Sequence, residues 1–387
     1  MKKWAVVGVL ALAQFVMVLD STVMNVSIST IVKDLNTSVT AMQAAITFYT
    51  LTMAALMLIG AKLTVKWGLL RAFAIGSIVY GIGSLITGLS QNIGMLFVGW
   101  SIIEGLGAVL VIPAIAALIA VNYSGKDRVT AYAIIGGISG AAAAAGPLIG
   151  GFMTTYLSWR YVFFAETIIM IFVLFAARRF KASKPAKNEK IDMPSALLSA
   201  IGMTLVVFGM LQSKTWGWVM PMTKPEIAGH EIAPLGISLV AYLILAGAIL
   251  LKFFYDRQKS LETKKANPLV HVSMFKLKQL RAGLTVLMSQ YLITAAVFFV
   301  VPVYLQMVLG FDALKTGMKI LPLSVALILF SVAGSRMIQK WTPRQIVRIG
   351  QILLIVGCGF LLASMDVNLS SFTFAAAMFT VGAGLGL

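Results

Sequence analysis

The sequence predicts an all-α polytopic membrane protein. Of its 387 residues, 59% are hydrophobic and only 11% are charged, and the mean hydropathy is +0.94. Soluble proteins carry about 25% charged residues, so this composition argues against a soluble enzyme or a nucleic-acid-binding domain. A single cysteine, Cys358, and two histidines, His230 and His271, exclude a disulfide framework and a His/Cys metal cluster.

Apolar runs of about 20 residues, the length that crosses a bilayer as a helix, recur along the whole chain. The first run is longer than a signal peptide and lacks a small-residue cleavage site, so it is expected to be a permanent span. Twelve spans are predicted, at 5–31, 41–61, 72–90, 94–121, 129–153, 160–177, 193–213, 235–254, 282–308, 313–335, 345–365 and 370–387.

The basic residues alternate between the two sides of these spans. With the N-terminus in the cytoplasm, 25 Lys and Arg residues fall in inner segments and 6 in outer loops. Cytoplasmic loops of membrane proteins are enriched in Lys and Arg, so the pattern predicts a cytoplasmic N-terminus. The net charge of +18 is then explained by basic residues that keep the inner loops in the cytoplasm. A nucleic-acid or lipid-specific partner is the weaker alternative.

An internal repeat predicts two related halves. The segment 60–67 (GAKLTVKW) aligns with 334–341 (GSRMIQKW) at an offset of 274, and 105–107 aligns with 382–384 at an offset of 277. Repeats of this kind build many secondary transporters, which hold substrate between the halves. The fifth and sixth spans have no repeat partner before residue 387, so two further spans, fourteen in all, are expected.

Four motifs together resemble those of one transporter family. They are LDSTVMNV at 19–26, GPLIGG at 146–151, WRYVF at 159–163, and NPL at 267–269 followed by Met274-Phe275. In this combination the chain resembles the major facilitator superfamily, specifically its fourteen-span drug:proton antiporter branch, which exports quaternary ammonium compounds and other drugs.

The resemblance implies a fold of two six-helix halves with two extra central helices. It divides the chain into an N-terminal half (1–177), basic linkers with the extra helices (178–281), and an incomplete C-terminal half (282–387) that lacks its last two helices, as in a C-terminally truncated copy. It also implies that the protein is a monomer in the plasma membrane of a prokaryote and that it carries small molecules and protons. The residues with motif or conformational roles are Thr22, Asn25, Lys66, Gly68, Arg71, Gly146, Pro147, Gly150, Gly151 and Arg160.

Several positions depart from the family pattern. Val65 takes the place of an aspartate in the loop after the second span, so the charge relay of that loop is incomplete. Trp100 stands where the fourth span usually has an arginine linked to proton transfer. Glu166 replaces an asparagine, and Ser29 replaces a proline. Transport without proton coupling therefore stays open as an alternative.

Only three acidic residues lie inside the predicted spans: Asp20, Glu104 and Glu166. Ionisable groups at such positions are costly and usually functional. At ~1.5 Å per residue, Asp20 lies ~16 Å deep, Glu104 ~15 Å and Glu166 only ~9 Å. An unpaired carboxyl in an apolar environment favours its protonated form. The resemblance implies that both helices lie beside the central cavity, so we expect Asp20 and Glu104 to face it and to bind the coupling proton and, when ionised, a cationic substrate. Glu166 has a weaker claim and could simply pair with Arg160.

The predicted fifth span combines closely spaced glycines with Pro147. Small residues four apart let helices approach closely, and proline permits a bend, so this span is a candidate hinge between the halves, with static packing as the alternative. No phosphate-binding GxxxxGK[ST] motif and no catalytic constellation occur, so we expect neither an enzyme nor a bound cofactor. Other cargoes, such as a metabolite, amino acid or siderophore, and a membrane receptor that retains the fold remain as alternatives.

Overall fold

The computed structural model describes residues 4–178, 180, 191–223, 226–227, 230–231, 234–337, 341–365 and 371–387. In this part of the chain, 11 helices are long and apolar enough to cross a membrane, and Phe372–Gly386 is a shorter apolar helix. The predicted all-α polytopic fold is confirmed. The described residues include one small sheet, an antiparallel hairpin of β1 (Glu226–Ile227) and β2 (His230–Glu231).

The first eight helices form the N-terminal helix group. They are α1 (Ala5–Val26), α2 (Ile28–Asp34), α3 (Val39–Trp67), α4 (Leu69–Gly88), α5 (Ile93–Leu96), α6 (Gly105–Asn122), α7 (Gly125–Tyr156) and α8 (Arg160–Ala177). A π-helical segment, Phe97–Glu104, joins α5 and α6 into one span. The first predicted span, 5–31, is divided at Ser27, whose hydroxyl hydrogen-bonds the Thr154 hydroxyl of α7 at 2.7 Å.

Two helices form a central pair, α9 (Met193–Trp216) and α10 (Leu239–Thr263). They cross closely, because a Cβ atom added at Gly247 would lie 2.7 Å from the Gly202 carbonyl oxygen. The C-terminal helix group follows. It contains α11 (Lys278–Val303), a π-helical turn (Tyr304–Val308), α12 (Ala313–Met337), α13 (Pro343–Ser364) and α14 (Ser371–Gly386).

Apolar side chains fill the spaces between helices within each group. Phe73 and Leu118 are fully buried in the N-terminal group, and Leu323 and Phe374 are fully buried in the C-terminal group. Other large apolar side chains point outward; Ile168, for example, is 68% exposed. An apolar outer surface on helices of this length suits a lipid environment, because the backbone N–H and C=O groups form their hydrogen bonds within each helix.

The internal repeat appears as repeated packing. In the N-terminal group, α4 crosses α6 where a Cβ atom added at Gly76 would lie 3.0 Å from the Gly107 carbonyl oxygen. In the C-terminal group, α13 crosses α14 where a Cβ atom added at Gly350 would lie 3.1 Å from the Gly384 carbonyl oxygen. The two contacts join residues that the sequence offsets pair, so the aligned segments hold equivalent positions in the fold.

A second pair of equivalent contacts lies further along these helices, but here the two helix groups carry different side chains. Gly83 packs against the backbone of Glu104, and Gly357 packs against the backbone of Val381. Glu104 and Val381 therefore occupy equivalent positions, and only the N-terminal group places a carboxyl there.

Candidate functional site

Three carboxyl groups meet inside the N-terminal helix group. Asp20 on α1, Glu104 at the end of the π-helical segment and Glu166 on α8 each place an oxygen within 4.8 Å of the other two. Their side chains are buried, with exposed fractions of 0, 0 and 1%. Among the described residues this is the one group of three or more His, Cys, Asp and Glu side chains gathered so closely. We call it the acid cluster.

Two expectations about these acids need correction. Counting residues from the helix ends placed Glu166 several ångströms above the other two, but Glu166 joins the cluster. Asp20 and Glu104 were expected to line a cavity, but both side chains are fully enclosed by helices of their own group in this conformation. The cluster is therefore an internal site of the N-terminal helix group.

Trp100 holds the carboxylate of Asp20. Its indole Nε1–H points between the two carboxylate oxygens, with Nε1 2.9 Å from each of them. The Tyr49 ring stacks on Trp100 with ring centroids 4.7 Å apart and the planes only 3° from parallel. Trp100, which departs from the family pattern, therefore hydrogen-bonds Asp20 as a neutral donor, whereas an arginine would supply a positive charge.

The other two acids have fewer partners. The Ser84 hydroxyl donates to Glu166 Oε2 at 3.2 Å, whereas Glu166 Oε1 and both oxygens of Glu104 make no hydrogen bond. The Tyr80 hydroxyl, which is fully buried, faces Asp20 and Glu104 without making a hydrogen bond of regular geometry. Buried polar atoms without partners are uncommon in native proteins, so this cluster is chemically unusual.

Local backbone geometry brings the cluster together. Trp100 and Glu104 lie one turn apart on the π-helical segment, so both face the other acids. π-Helical segments are rare and frequently occur at functional sites. The absence of a side chain at Gly83 lets α4 approach this segment, because a Cβ atom there would lie 2.6 Å from the Glu104 backbone nitrogen.

The motif on α1 interlocks with the motif on α7. A Cβ atom added at Gly146 would lie 1.7 Å from the Thr22 hydroxyl oxygen, and one at Gly150 would lie 3.0 Å from the Val23 Cα. The Thr22 hydroxyl donates to the Leu19 carbonyl oxygen at 2.8 Å, which fixes its side chain against α7. Two motifs more than a hundred residues apart in the chain therefore form one contact.

The opposite side of α7 packs against α12 of the C-terminal helix group. A Cβ atom added at Gly151 would lie 2.7 Å from the Ala313 carbonyl oxygen, and one at Gly317 would lie 2.3 Å from the Pro147 carbonyl oxygen. The motif of α7 thus touches α1 on one side and α12 on the other. This is where the hinge hypothesis expects close contact between the two helix groups.

Arg160 and Asn25 have structural partners outside the acid cluster. Arg160 forms an ion pair with Asp34, with Nη1 3.2 Å from Oδ2, and its Nη2 donates to the Ser90 carbonyl oxygen. The alternative in which Arg160 pairs with Glu166 is therefore wrong. Asn25 Nδ2 donates to the Ser21 carbonyl oxygen at 2.9 Å, while its Oδ1 is buried without a hydrogen bond.

The residues of the loop after the second predicted span lie at a tight turn. Lys66 and Arg71 are exposed on either side of Gly68, the single residue between α3 and α4. Gly68 has φ 91° and ψ 140°, a conformation that residues with a side chain rarely adopt. The role of Gly68 is thus conformational, and the two basic side chains are available for contacts at that surface.

These features define a polytopic transport protein rather than an enzyme: two helix groups related by a repeat, a close helix contact between them and buried carboxyls inside the membrane-spanning region. A family model described as Major Facilitator Superfamily matches residues 10–387. The chain belongs to this superfamily of transporters.

Among curated proteins, the chain is similar to several bacterial resistance and export proteins. It is 28% identical over 353 residues to the puromycin resistance protein of Streptomyces alboniger, covering 90% of this chain and 65% of that one. It is 26% identical to the probable actinorhodin transporter of Streptomyces coelicolor, covering all of this chain and 65% of that one. The lincomycin resistance protein of Listeria monocytogenes is 26% identical, with 94% of this chain and 72% of that one covered. The chain thus spans about 65% of the length of the two Streptomyces proteins.

Solved structures show the same fold at low sequence identity. The partially occluded, inward-open xylose transporter from E. coli superposes with a TM-score of 0.61 at 14% identity, covering 99% of this chain and 82% of that one. A peptide transporter in complex with sulfate gives a TM-score of 0.61 at 15% identity, covering 99% and 80%.

Proposed function

We propose that this protein exports hydrophobic or cationic small molecules by alternating access, driven by protons that move the opposite way through the acid cluster. The observation that carries the proposal is the enclosure of Asp20, Glu104 and Glu166 in one place, while no Lys or Arg side chain is buried among the described residues. Ionised carboxylates in such surroundings are costly, so protons that neutralise them bind strongly and are released only when the surroundings change.

Each side chain of the cluster has a part in this exchange. When Asp20 is ionised, the Trp100 N–H stabilises it by a charge-assisted hydrogen bond. Glu104 and Glu166 lie close enough for the three groups to share protons, so they titrate as one system. Their enclosure in this conformation favours proton binding over direct contact with a cargo molecule.

The contact of α7 with both helix groups supports a rocking motion. Its glycines present a smooth surface to α1 and α12, which allows small displacements between packed helices. A second contact joins the helix groups, because the Ser29 hydroxyl donates to Gln306 Oε1 at 2.9 Å. A single hydrogen bond of this kind contributes about 0.5–1.5 kcal/mol, so it can break and re-form in a transport cycle.

The names of the relatives support an export role. They describe resistance to puromycin and lincomycin and probable transport of actinorhodin. We place the N-terminus in the cytoplasm on the distribution of the basic residues. A monomer in a prokaryotic plasma membrane is proposed on the family resemblance and on the bacterial origin of the relatives. We also propose that the protein belongs to the drug:proton antiporter branch, on the motifs that it shares with that branch.

A second candidate is a carrier that moves a metabolite, an amino acid or a siderophore, or one that works without proton coupling. Trp100 favours keeping it, since the Asp20 carboxylate is bound by an uncharged donor instead of an arginine. Val65 stands where the family has a loop aspartate, and this replacement also favours a carrier without proton coupling.

Transport of a fluorescent lipophilic cation into inverted membrane vesicles tests the proposal. We expect accumulation when the vesicle interior is acidified, and its collapse when the pH gradient is dissipated. Asp20→Asn combined with Glu104→Gln should abolish accumulation, while the matched control Asp256→Asn, an exposed acid paired with Lys252, should leave it unchanged. Uptake that is independent of the pH gradient would favour the uncoupled carrier.

A further inference from the structure

The acid cluster lacks a compensating charge from the protein. Its three carboxyl groups approach within 4.8 Å, and the buried side chains among the described residues include no Lys or Arg. Its hydrogen-bond donors, Trp100 and Ser84, are neutral. If the carboxyls ionise while enclosed, a cation other than a side chain must neutralise them.

Unpartnered oxygens are concentrated at this point. Both Glu104 oxygens, Glu166 Oε1 and the Tyr80 hydroxyl are buried and make no hydrogen bond. The Tyr80 hydroxyl is an observation independent of the acids, because it comes from α4 and faces Asp20 and Glu104. Carboxylate and hydroxyl oxygens are the donor atoms that hard metal cations prefer.

The dimensions select the kind of cation. Ligands on opposite sides of an ion lie at most twice the metal–oxygen distance apart, about 4.6–5.2 Å for Ca²⁺ and about 4.0–4.2 Å for Mg²⁺. Na⁺ has nearly the radius of Ca²⁺. The three carboxyl oxygens lie within 4.8 Å of one another, so an ion with metal–oxygen distances of about 2.3–2.6 Å can contact all three. Mg²⁺ also keeps several of its waters, which an enclosed cluster does not favour.

We propose that Asp20, Glu104 and Glu166, together with the Tyr80 hydroxyl, form a binding site for a hard, oxygen-ligated metal cation of the size of Na⁺ or Ca²⁺. The Trp100 N–H hydrogen-bonds both Asp20 oxygens, and each oxygen has a further lone pair that can bind the ion. The site uses the same acids as the proposed proton exchange, but metal binding does not require that transport be coupled to protons.

Equilibrium binding of radioactive Na⁺ and Ca²⁺ to the purified protein in lipid nanodiscs tests the inference. At pH 8, where protons compete less with a metal ion for the carboxyl groups than at lower pH, we expect saturable binding of one of the two ions with one site per protein. A hundredfold excess of Mg²⁺ should not displace it. Glu104→Gln should weaken binding at least tenfold, and the matched control Asp256→Asn should bind as the wild type does.

A milder variant guards against loss of the fold. Tyr80→Phe keeps the ring and removes only the hydroxyl, so it should weaken binding severalfold while the melting temperature without the ion stays unchanged. No saturable binding of either ion, or equal binding by wild type, Glu104→Gln and Tyr80→Phe, would overturn the inference. Proton-coupled transport without metal binding would overturn it and leave the proposed function standing. Metal binding without proton-coupled transport would support the inference and overturn the proposed function.

Discussion

Replacement of Gly146 by alanine tests whether the motif of α7 works as a close contact. The added Cβ atom would lie 1.7 Å from the Thr22 hydroxyl oxygen, whereas ordinary contact begins at 3.4 Å. The two helices must therefore separate by about 1.7 Å at this level, or Thr22 must leave its hydrogen bond. Overpacking of this kind costs about 1–3 kcal/mol. We expect the melting temperature of Gly146→Ala in detergent to fall by several degrees and transport to fall with it.

The same helix offers a matched control and a partial rescue. A Cβ atom at Gly136 meets nothing within 4 Å, so Gly136→Ala should be neutral or slightly stabilising. Adding Thr22→Ala to Gly146→Ala removes the 1.7 Å contact but leaves the Thr22 Cβ contact at 2.6 Å, so stability should recover in part. Equal melting temperatures for Gly146→Ala and Gly136→Ala would refute the close-contact reasoning.

Two further predictions concern the ends of helices. Gly68→Ala should lower stability by about 1–3 kcal/mol in thermal unfolding, because alanine is strained at φ 91°, whereas Gly8→Ala, which meets nothing within 4 Å, should not. The guanidinium of Arg257 lowers the pKa of Asp192 to about 2 through a bidentate hydrogen bond at 2.7 Å. This pairing stabilises the fold fully above pH 4 and is lost as the pH falls through 2. Arg257→Ala should therefore cost about 1 kcal/mol at pH 7, with partial solvent screening, and the difference from wild type should disappear toward pH 2.

The spans were predictable because a bilayer imposes one length and one polarity on every crossing helix. Eleven of the predicted spans correspond to long apolar helices, and the twelfth, 370–387, to a shorter one. The break at Ser27 was not predictable, because the apolar run continues through it and the hydroxyl partner, Thr154, comes from another helix.

The acid cluster was predictable only in part. The three members stood out because acidic residues are scarce in the spans. Their common position depends on how α1, the π-helical segment and α8 pack against one another, which residue counting along each helix cannot supply. Tyr80 and Ser84 had no signal of their own, since buried hydroxyls occur throughout such helices. The sequence marked Trp100 only as a departure from the family pattern, and its bond to Asp20 needed three-dimensional coordinates.

Proton release on binding of a cationic substrate tests the central claim most directly. Purified protein in a weakly buffered solution with a pH indicator is mixed with the substrate, and released protons are counted against bound substrate. The account predicts release of at least one proton per substrate by the wild type and by Asp256→Asn. It predicts none by the triple variant Asp20→Asn, Glu104→Gln, Glu166→Gln at equal substrate occupancy. Equal proton release by the triple variant and the wild type would contradict the role of the acid cluster.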